Sequence, residues 1–383
     1  MKLSGALVML SWLAASVAAV PHDDVLRTLH HKAMANLRRK ELEHPPQPGS
    51  GCSLQTAAKR RDWDALTVPE RKAYIEAVQC MFRLPSRSDK SWAAGARVRY
   101  DDWPAIHINQ TRFIHTTGNF LTYHRYLTWT YEHALREDCG YQGTQPYWNW
   151  FKYQNDPTQN PLMDGSDTSM GGNGAYVEHN GTLAAGLVYL LSGPGGGCIE
   201  HGPFANLTVN LGPINPAMRG MPPSVPDTNV YNPRCLRRDL NFHASAHWHT
   251  YQNLLNVTTG PIASTNVLLF QNELQGRPPD GFLGLHSGGH HTIGGDNSDN
   301  YSSAVDPLFW FHHAMVDYVY WLWQALYPER AREVMGTRLP RDESMGYTQR
   351  TDVLEMGATG ENRVLEDLLE TMGGTPACYI YEY

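Results

Sequence analysis

Between His107 and Glu132 the chain sets three histidines, His107, His115 and His124, in a run otherwise aromatic and aliphatic, HINQTRFIHTTGNFLTYHRYLTWTYE. Neutral imidazole ligates copper, zinc, iron and nickel alike. A single histidine in such surroundings is ordinarily a satisfied core residue, but three within one short segment point to a metal. A second stretch, DPLFWFHHAMVDYVYWLW from Asp306 to Trp323, carries the adjacent pair His312 and His313, with Asp317 one turn after the second. Upstream of it, His286 and His290 frame the spacer Ser-Gly-Gly. A further pair with the same spacing, His243 and His247, lies in NFHASAHWHTY together with His249, and on spacing alone it rivals His286 and His290.

These side chains need elements that aim them. A helix advances 1.5 Å and 100° per residue, so His115 and His124 on one straight helix would stand roughly 13 Å apart on opposite faces. Gly118-Asn119 supplies a break, Gly being a usual helix stop and Asn a usual start. The spacing therefore predicts a helix carrying His107, a bend near His115, and a second helix from about Phe120 that carries His124 and Glu132. His286 and His290 can share an ion if their segment is helical, although each internal Gly costs about 1 kcal/mol of helix propensity. On the Asp306–Trp323 helix, His313 and Asp317 share a face and His312 points elsewhere.

Taken together, H-x8-H-R with Phe120 and Tyr123 before the second histidine and Glu132 after it, then H-x3-H and D-P-L-F-W-F-H-H-x3-D, closely resemble the two copper signatures of the tyrosinase, catechol oxidase and haemocyanin superfamily. The resemblance extends over most of the mature chain, including RRDWDALTVPERKAYIEAVQCMF near its start, and is strongest to the short secreted fungal polyphenol oxidases. It implies a mainly α fold, with a four-helix-bundle dicopper core, long loops and few short strands. It implies two copper ions in a type-3 dinuclear centre, one on His107, His115 and His124 and the other on His286, His290 and His313, with O2 as co-substrate. It leaves His243, His247 and His249 a structural role, since only His286 to His313 has the spacing of the second copper region. The donor chemistry agrees: no base stands between His286 and His290, as it would in the H-E-x-x-H of a zinc hydrolase, and no carboxylate joins the six, as a non-haem iron triad requires.

The activity so implied is oxidation of o-diphenols (catechols) to o-quinones, with O2 reduced to water and small phenols as the partners. A tyrosinase that also hydroxylates monophenols is the nearest alternative, and a haemocyanin-like O2 carrier the binding-protein one. Around the ligands, Asp317, Asp306 and Glu132 are candidates to accept from the second ring nitrogen of an imidazole. Phe309 is placed to pack a ligand ring. His291 follows the second ligand of its pair, a position that borders the substrate mouth in this family, and a solvent-facing role weighs equally. Where tyrosinases hold a water with a Glu and an Asn at the second site, this chain has Leu283 and Ser287; leucine offers no hydrogen bond and serine a single hydroxyl. Phe113 stands where many fungal tyrosinases place the cysteine of a Cys–His thioether, so no such crosslink is expected. The terminal run Cys378-Tyr-Ile-Tyr-Glu-Tyr383 resembles the tyrosine motif that ends the family's catalytic domain, so no C-terminal lid domain, and activity without proteolysis, are expected.

The chain has 383 residues, 41% of them apolar, and a formal charge of −7. That charge disfavours nucleic acid, whose binders carry basic patches, while phenols need no counter-charge. Met1 to Ala19 reads as a secretory signal peptide, with no second long apolar run to suggest a membrane anchor. Residues 20–50 read as an N-terminal surface arm with one short helix, and 51–383 as one catalytic domain, expected to be a monomer. Export predicts three disulfides among Cys52, Cys80, Cys139, Cys198, Cys235 and Cys378, with Cys198 to Cys235 singled out because it would close the loop between them. Export also fits five N-x-S/T sequons, at Asn109, Asn180, Asn206, Asn256 and Asn300, with Asn109 ranked last for its closeness to His107. Thr67-Val-Pro-Glu is a helix start, the helix after it buries Tyr74, Ile75, Val78 and Met81, and the glycine clusters between Pro146 and Pro233 are loops.

Overall fold

The structure is a computed structural model that describes residues 24–46, 51–221, 224–226 and 228–383. Its helices run in chain order as α1 (Asp24–Glu43), α2 (Val68–Met81), α3 (Asp102–Ile114), α4 (Phe120–Cys139), α5 (Phe242–Trp248), α6 (Tyr251–Thr259), α7 (Val267–Gln275), α8 (Gly284–Ile293) and α9 (Leu308–Leu326). Strands are short and pair only two by two among the described residues. The fold is mainly helical, with long loops between α4 and α5.

Helix α9 is apolar on every side, and every residue from Leu308 to Ala325 is buried. A helix with no polar stripe has no face to give to water, so it becomes the centre that the others cover. Helices α4 and α8 pack on it, α3 reaches it where His107 meets Phe309, and their histidines gather near its His312-His313 step. Helix α2 begins at Thr67 with a capping box, in which the Thr67 amide donates to Glu70 Oε2 at 2.8 Å, and Pro69 fits the first turn. Its buried residues include Tyr74, Ile75, Val78 and Met81, the set that helical spacing predicts. Trp148 and Trp150 are buried against the bundle.

The N-terminal segment differs from expectation. Residues 24–43 form one 20-residue helix rather than a surface arm with a short one, and the helix packs on α9. Leu26, Leu29 and Ala33 recur at helical spacing and are buried, and Asn36 Nδ2 donates to the Ala325 carbonyl at 3.0 Å. The charged residues that suggest an arm are only its outer face. The proposed signal, residues 1–19, lies outside the described residues.

Buried charge ties Ala58–Arg60 and the C-terminal strand to the bundle. Strand Ala58–Arg60 pairs in parallel with Tyr379–Tyr381, and the disulfide Cys52–Cys378 closes the same junction. Arg60 is fully buried and donates to Glu132 Oε2 through Nε at 2.8 Å and Nη2 at 2.6 Å, and to Asp317 Oδ2 at 3.3 Å. Arg125 Nε donates to Asp317 Oδ1 at 2.6 Å, and the hydroxyls of Tyr379 and Tyr381 both donate to Asp317 Oδ2. Burial works to raise the Asp317 pKa, but Arg125, Arg60 and the two tyrosines outweigh it, and the net shift is downward. Two further disulfides, Cys80–Cys139 and Cys198–Cys235, staple α2 to the end of α4 and close the loop as expected.

Removing one partner from a buried charged network leaves the others unpaired, at a cost of about 3–5 kcal/mol. Asp317→Asn is therefore expected to lose about that much stability at neutral pH in urea denaturation. Since the folded Asp317 pKa is depressed, its contribution is present above the unfolded value of about 3.9 and disappears as pH falls below it. The acid limb of stability should accordingly be shallower in the variant. Equal stability of the two proteins at pH 7 would refute this.

Candidate metal centre

The first histidine cluster is built by the expected bend. Helix α3 stops at Ile114, His115 is extended (φ −118°, ψ 135°), Thr116 takes a left-handed φ of 54°, and α4 starts at Phe120. Gly118 is required there by close approach, because a Cβ would lie 2.6 Å from Thr348 Oγ1 and 3.0 Å from the Gly336 carbonyl. The rings of His107, His115 and His124 converge with centres 5.0–5.6 Å apart. Each Nδ1 faces a backbone carbonyl: Tyr301 for His107 at 2.7 Å, Thr111 for His115 at 3.0 Å, and Phe120 for His124 at 2.8 Å. A carbonyl only accepts, so each Nδ1 carries the proton and each Nε2 presents a lone pair. The Nε2 atoms of His107 and His124 are buried without a partner.

The second cluster stands on α8 and α9. His290 Nε2 lies 3.1 Å from His286 Nε2 and 3.2 Å from His313 Nε2, while His290 Nδ1 donates to Asn297 Oδ1 at 2.8 Å. With its proton on Nδ1, His290 offers only a lone pair at Nε2, and it can accept from one neighbour but not from both. Buried, adjacent lone pairs of this kind are reconciled by a cation. The two clusters meet face to face, with the His124 and His313 rings 4.6 Å apart and within 15° of parallel. Burial first, then repulsion among neighbouring imidazoles, pushes His115, His124, His286 and His313 well below the usual histidine pKa. Burial also takes His107 and His290 down to about 4. All six are therefore neutral at physiological pH, the form that binds a metal.

The glycine spacer has a steric cause. A Cβ at Gly288 would come within 2.5 Å of Trp248 Cβ, and one at Gly289 would collide with the His312 ring. That close approach corrects the reading of His312, which helical direction alone sends away from the centre. Its ring instead joins the second cluster, 4.5 Å from His290 and 5.5 Å from His286 between centres, and four imidazoles gather where three were expected. The Trp150 indole donates to His312 Nδ1 at 3.1 Å and occupies that nitrogen.

Other expected roles fall out differently. Glu132, Asp317 and Asp306 make their hydrogen bonds elsewhere: Glu132 and Asp317 pair with the buried arginines described above, and Asp306 holds Arg238 at 2.7 and 2.8 Å and caps the Leu308 amide. A carboxylate buried beside an arginine is held there by charge, and carbonyls and Asn297 take its place beside the imidazoles. Asn297 carried no signal in the sequence, and Trp150 none beyond packing against the bundle, because their polar partners are distant in the chain. Phe309 packs on ligand rings, stacked on His313 at 4.1 Å and edge-on to His107 at 5.3 Å. Leu283, expected at the mouth, has no exposed surface and packs with Ala184, Leu190 and Trp248. Ser287 Oγ donates to the Gln275 carbonyl at 2.7 Å. His291 is buried rather than solvent-facing, and burial followed by His290 pushes its pKa down to about 3. His243 and His247 lie exposed on α5, outside both clusters, whereas His249 is buried and stacks on Trp150. Phe113 is partly exposed, and all six cysteine sulfurs are in disulfides.

Comparison with known proteins points to one family. The family model described as the common central domain of tyrosinase matches residues 97–326. The chain is 43% identical over 300 residues to the tyrosinase-like protein orsC of Emericella nidulans, covering 73% of this chain and 77% of that one. It is 39% identical to Tyrosinase P of Aspergillus terreus (84% and 91% covered) and 34% identical to the N-acetyl-6-hydroxytryptophan oxidase ivoB of Emericella nidulans (86% and 94%). Among solved structures, a variant of the polyphenol oxidase of Thermothelomyces thermophila superposes with a TM-score of 0.85 at 36% identity, covering 94% of this chain and 98% of that one.

Metal analysis of the purified protein is expected to find two copper ions per chain. Alanine in place of any of His107, His115, His124, His286, His290 or His313 should lower that content. His243→Ala and His247→Ala should leave it unchanged. Gly289→Ala should also lose copper, because the added methyl displaces the His312 ring against His290. Full copper content in His286→Ala together with loss in His247→Ala would overturn the placement of the second site.

Proposed function

Because the chain belongs to the tyrosinase family, we propose that it is a dicopper oxidase that converts o-diphenols to o-quinones, two catechols giving up four electrons and four protons to one O2 to form two waters. Polyphenol oxidase chemistry is the family's property; the preference for diphenols is inferred from Leu283, Ser287 and His291 on and beside α8. The copper ions supply the one-electron redox couples through which O2 is reduced. The protein supplies the rest. Nδ1–carbonyl bonds orient His107, His115 and His124, Asn297 orients His290, and Phe309 wedges the rings of both clusters.

The observation that supports the preference is that none of Leu283, Ser287 and His291 offers a ready base. A monophenol binds only after losing a proton of pKa near 10, the value of a tyrosine hydroxyl, so its hydroxylation needs an acceptor beside the metal. Leu283 has none and is sealed beneath Trp248. Ser287 commits its proton to the Gln275 carbonyl and is no base at neutral pH. His291 stays neutral but holds a proton weakly, as its depressed pKa states. A catechol depends less on that base, having a more acidic hydroxyl and needing only electron loss. A phenolic substrate also suits the relatives, whose names include tyrosinase and an oxidase of a hydroxylated tryptophan.

We further place the protein outside the cell, as an exported glycoprotein. The three disulfides suit an oxidising compartment, and all five sequon asparagines, Asn109 included, are exposed. No helix among the described residues is long and apolar enough to cross a membrane.

Oxygen uptake without a catechol primer should be fast with catechol and slow or absent with tyramine. The double variant Leu283→Glu with Ser287→Asn should raise the tyramine rate relative to catechol by about tenfold, the kinetic worth of roughly 1.4 kcal/mol. His291→Ala should leave catechol oxidation largely intact. Efficient unprimed tyramine hydroxylation by the wild type, persisting in His291→Ala, would defeat the preference; no uptake with any phenol would defeat the oxidase reading itself.

A further inference from the structure

One residue outside both histidine clusters touches the chain next to each. Gln275 ends α7 and is 9% exposed. Its side-chain Oε1 accepts from the Thr116 amide at 2.9 Å, one residue after His115. Its backbone carbonyl accepts from Ser287 Oγ at 2.7 Å, one residue after His286. Gln275 is thus pinned between one imidazole neighbour from the first cluster and one from the second.

The first of these bonds settles which way the amide faces. A backbone N–H only donates, so the atom opposite Thr116 must be the oxygen, and Nε2 is directed away from it. That Nε2 is buried and has no hydrogen-bond partner in the protein. Buried side-chain donors are nearly always satisfied, and a primary amide has two N–H groups to place. No described side chain lies within hydrogen-bond distance to take them. An acceptor brought by a ligand is what this geometry fits.

We propose that Gln275 is a substrate-specifying residue of this centre, its Nε2 donating a hydrogen bond to an oxygen of the phenol that enters between His115 and His286. The proposal rests on the phenol-oxidase reading. It also gives that reading a second basis for preferring diphenols, because an amide donor holds a phenol oxygen without removing its proton. A catechol has a second hydroxyl oxygen to offer the amide while the first faces the metals; a monophenol has one oxygen for both.

Two variants separate recognition from scaffolding. Gln275→Glu keeps an oxygen for the Thr116 amide and replaces the donors with an acceptor. Gln275→Met removes both. In the copper-loaded enzyme, both are expected to raise the catechol KM at least fivefold with kcat within twofold of wild type. Both should weaken binding of 4-nitrophenol, a phenol too electron-poor to be oxidised, by a similar factor in calorimetry. Gln275→Glu should keep the wild-type copper content and melting temperature. All values are taken per copper-loaded chain, so a variant that loads poorly is still informative. Wild-type KM and wild-type 4-nitrophenol affinity in Gln275→Glu, or in the loaded fraction of Gln275→Met, would reduce Gln275 to a scaffold and overturn the proposal. If no form oxidises catechol while Gln275→Glu still weakens 4-nitrophenol binding, the oxidase reading fails and the recognition by Gln275 stands.

Discussion

The constraint on which this structure depends is that six neutral imidazoles are gathered in the core, four of them turned so that an Nε2 lone pair points inward. Burying a polar group without a partner costs several kcal/mol on alkane scales, and here the cost is concentrated at two points. Carbonyls and Asn297 take the Nδ1 protons of four rings, which forces Nε2 inward. The arrangement therefore commits the protein to a cation at each cluster, and selects the neutral histidine that such a cation requires.

Helix α9 makes that geometry possible by giving up any contact with solvent. Its surface receives α4 and α8, with His107 of α3 against Phe309, and the step His312-His313 lies near their meeting point. The price in helix propensity at Gly288 and Gly289 is set against what their missing Cβ atoms allow, the seating of Trp248 and His312 against α8. Polar positioning and close packing coincide at Phe120, whose ring packs on His124 while its carbonyl accepts from His124 Nδ1, and at Trp150, which packs on His312 and donates to it.

A second set of charges, away from the metals, holds the frame. Arg60, Arg125, Glu132 and Asp317 form a buried network that joins α4, α9 and the strand pair made by the two ends of the catalytic region. Asp317 sits one turn beyond His313 on α9 but is directed to the arginines and to Tyr379 and Tyr381. The Tyr-x-Tyr run at the end of the sequence is thereby a clamp on the helix that carries the second cluster. Stability and metal geometry consequently share one helix, and a change to either is felt by the other.

Local signals were enough for much of this. The break at Gly118-Asn119, the helical spacing of His286 with His290, the Thr67 cap and the apolar face of α2 are each written within a few residues, so the sequence by itself determined α2, α3, the bend and α4, and offered the histidines of both clusters. Only the tertiary structure decided what depends on residues far apart in the chain. Helix α1 was legible as charged and not as packed, because its partner face lies on α9 some three hundred residues away. The three acids looked like imidazole partners until distant arginines took them. His312 joins the second cluster because Gly289 lets it in and Trp150 holds it, and neither contact follows from helical periodicity. Gln275 gave no sign at all, since its meaning comes from Thr116 and Ser287, which are brought to it from different helices. Periodicity fixes which way a side chain leaves its own element; what it meets there is decided by packing between elements.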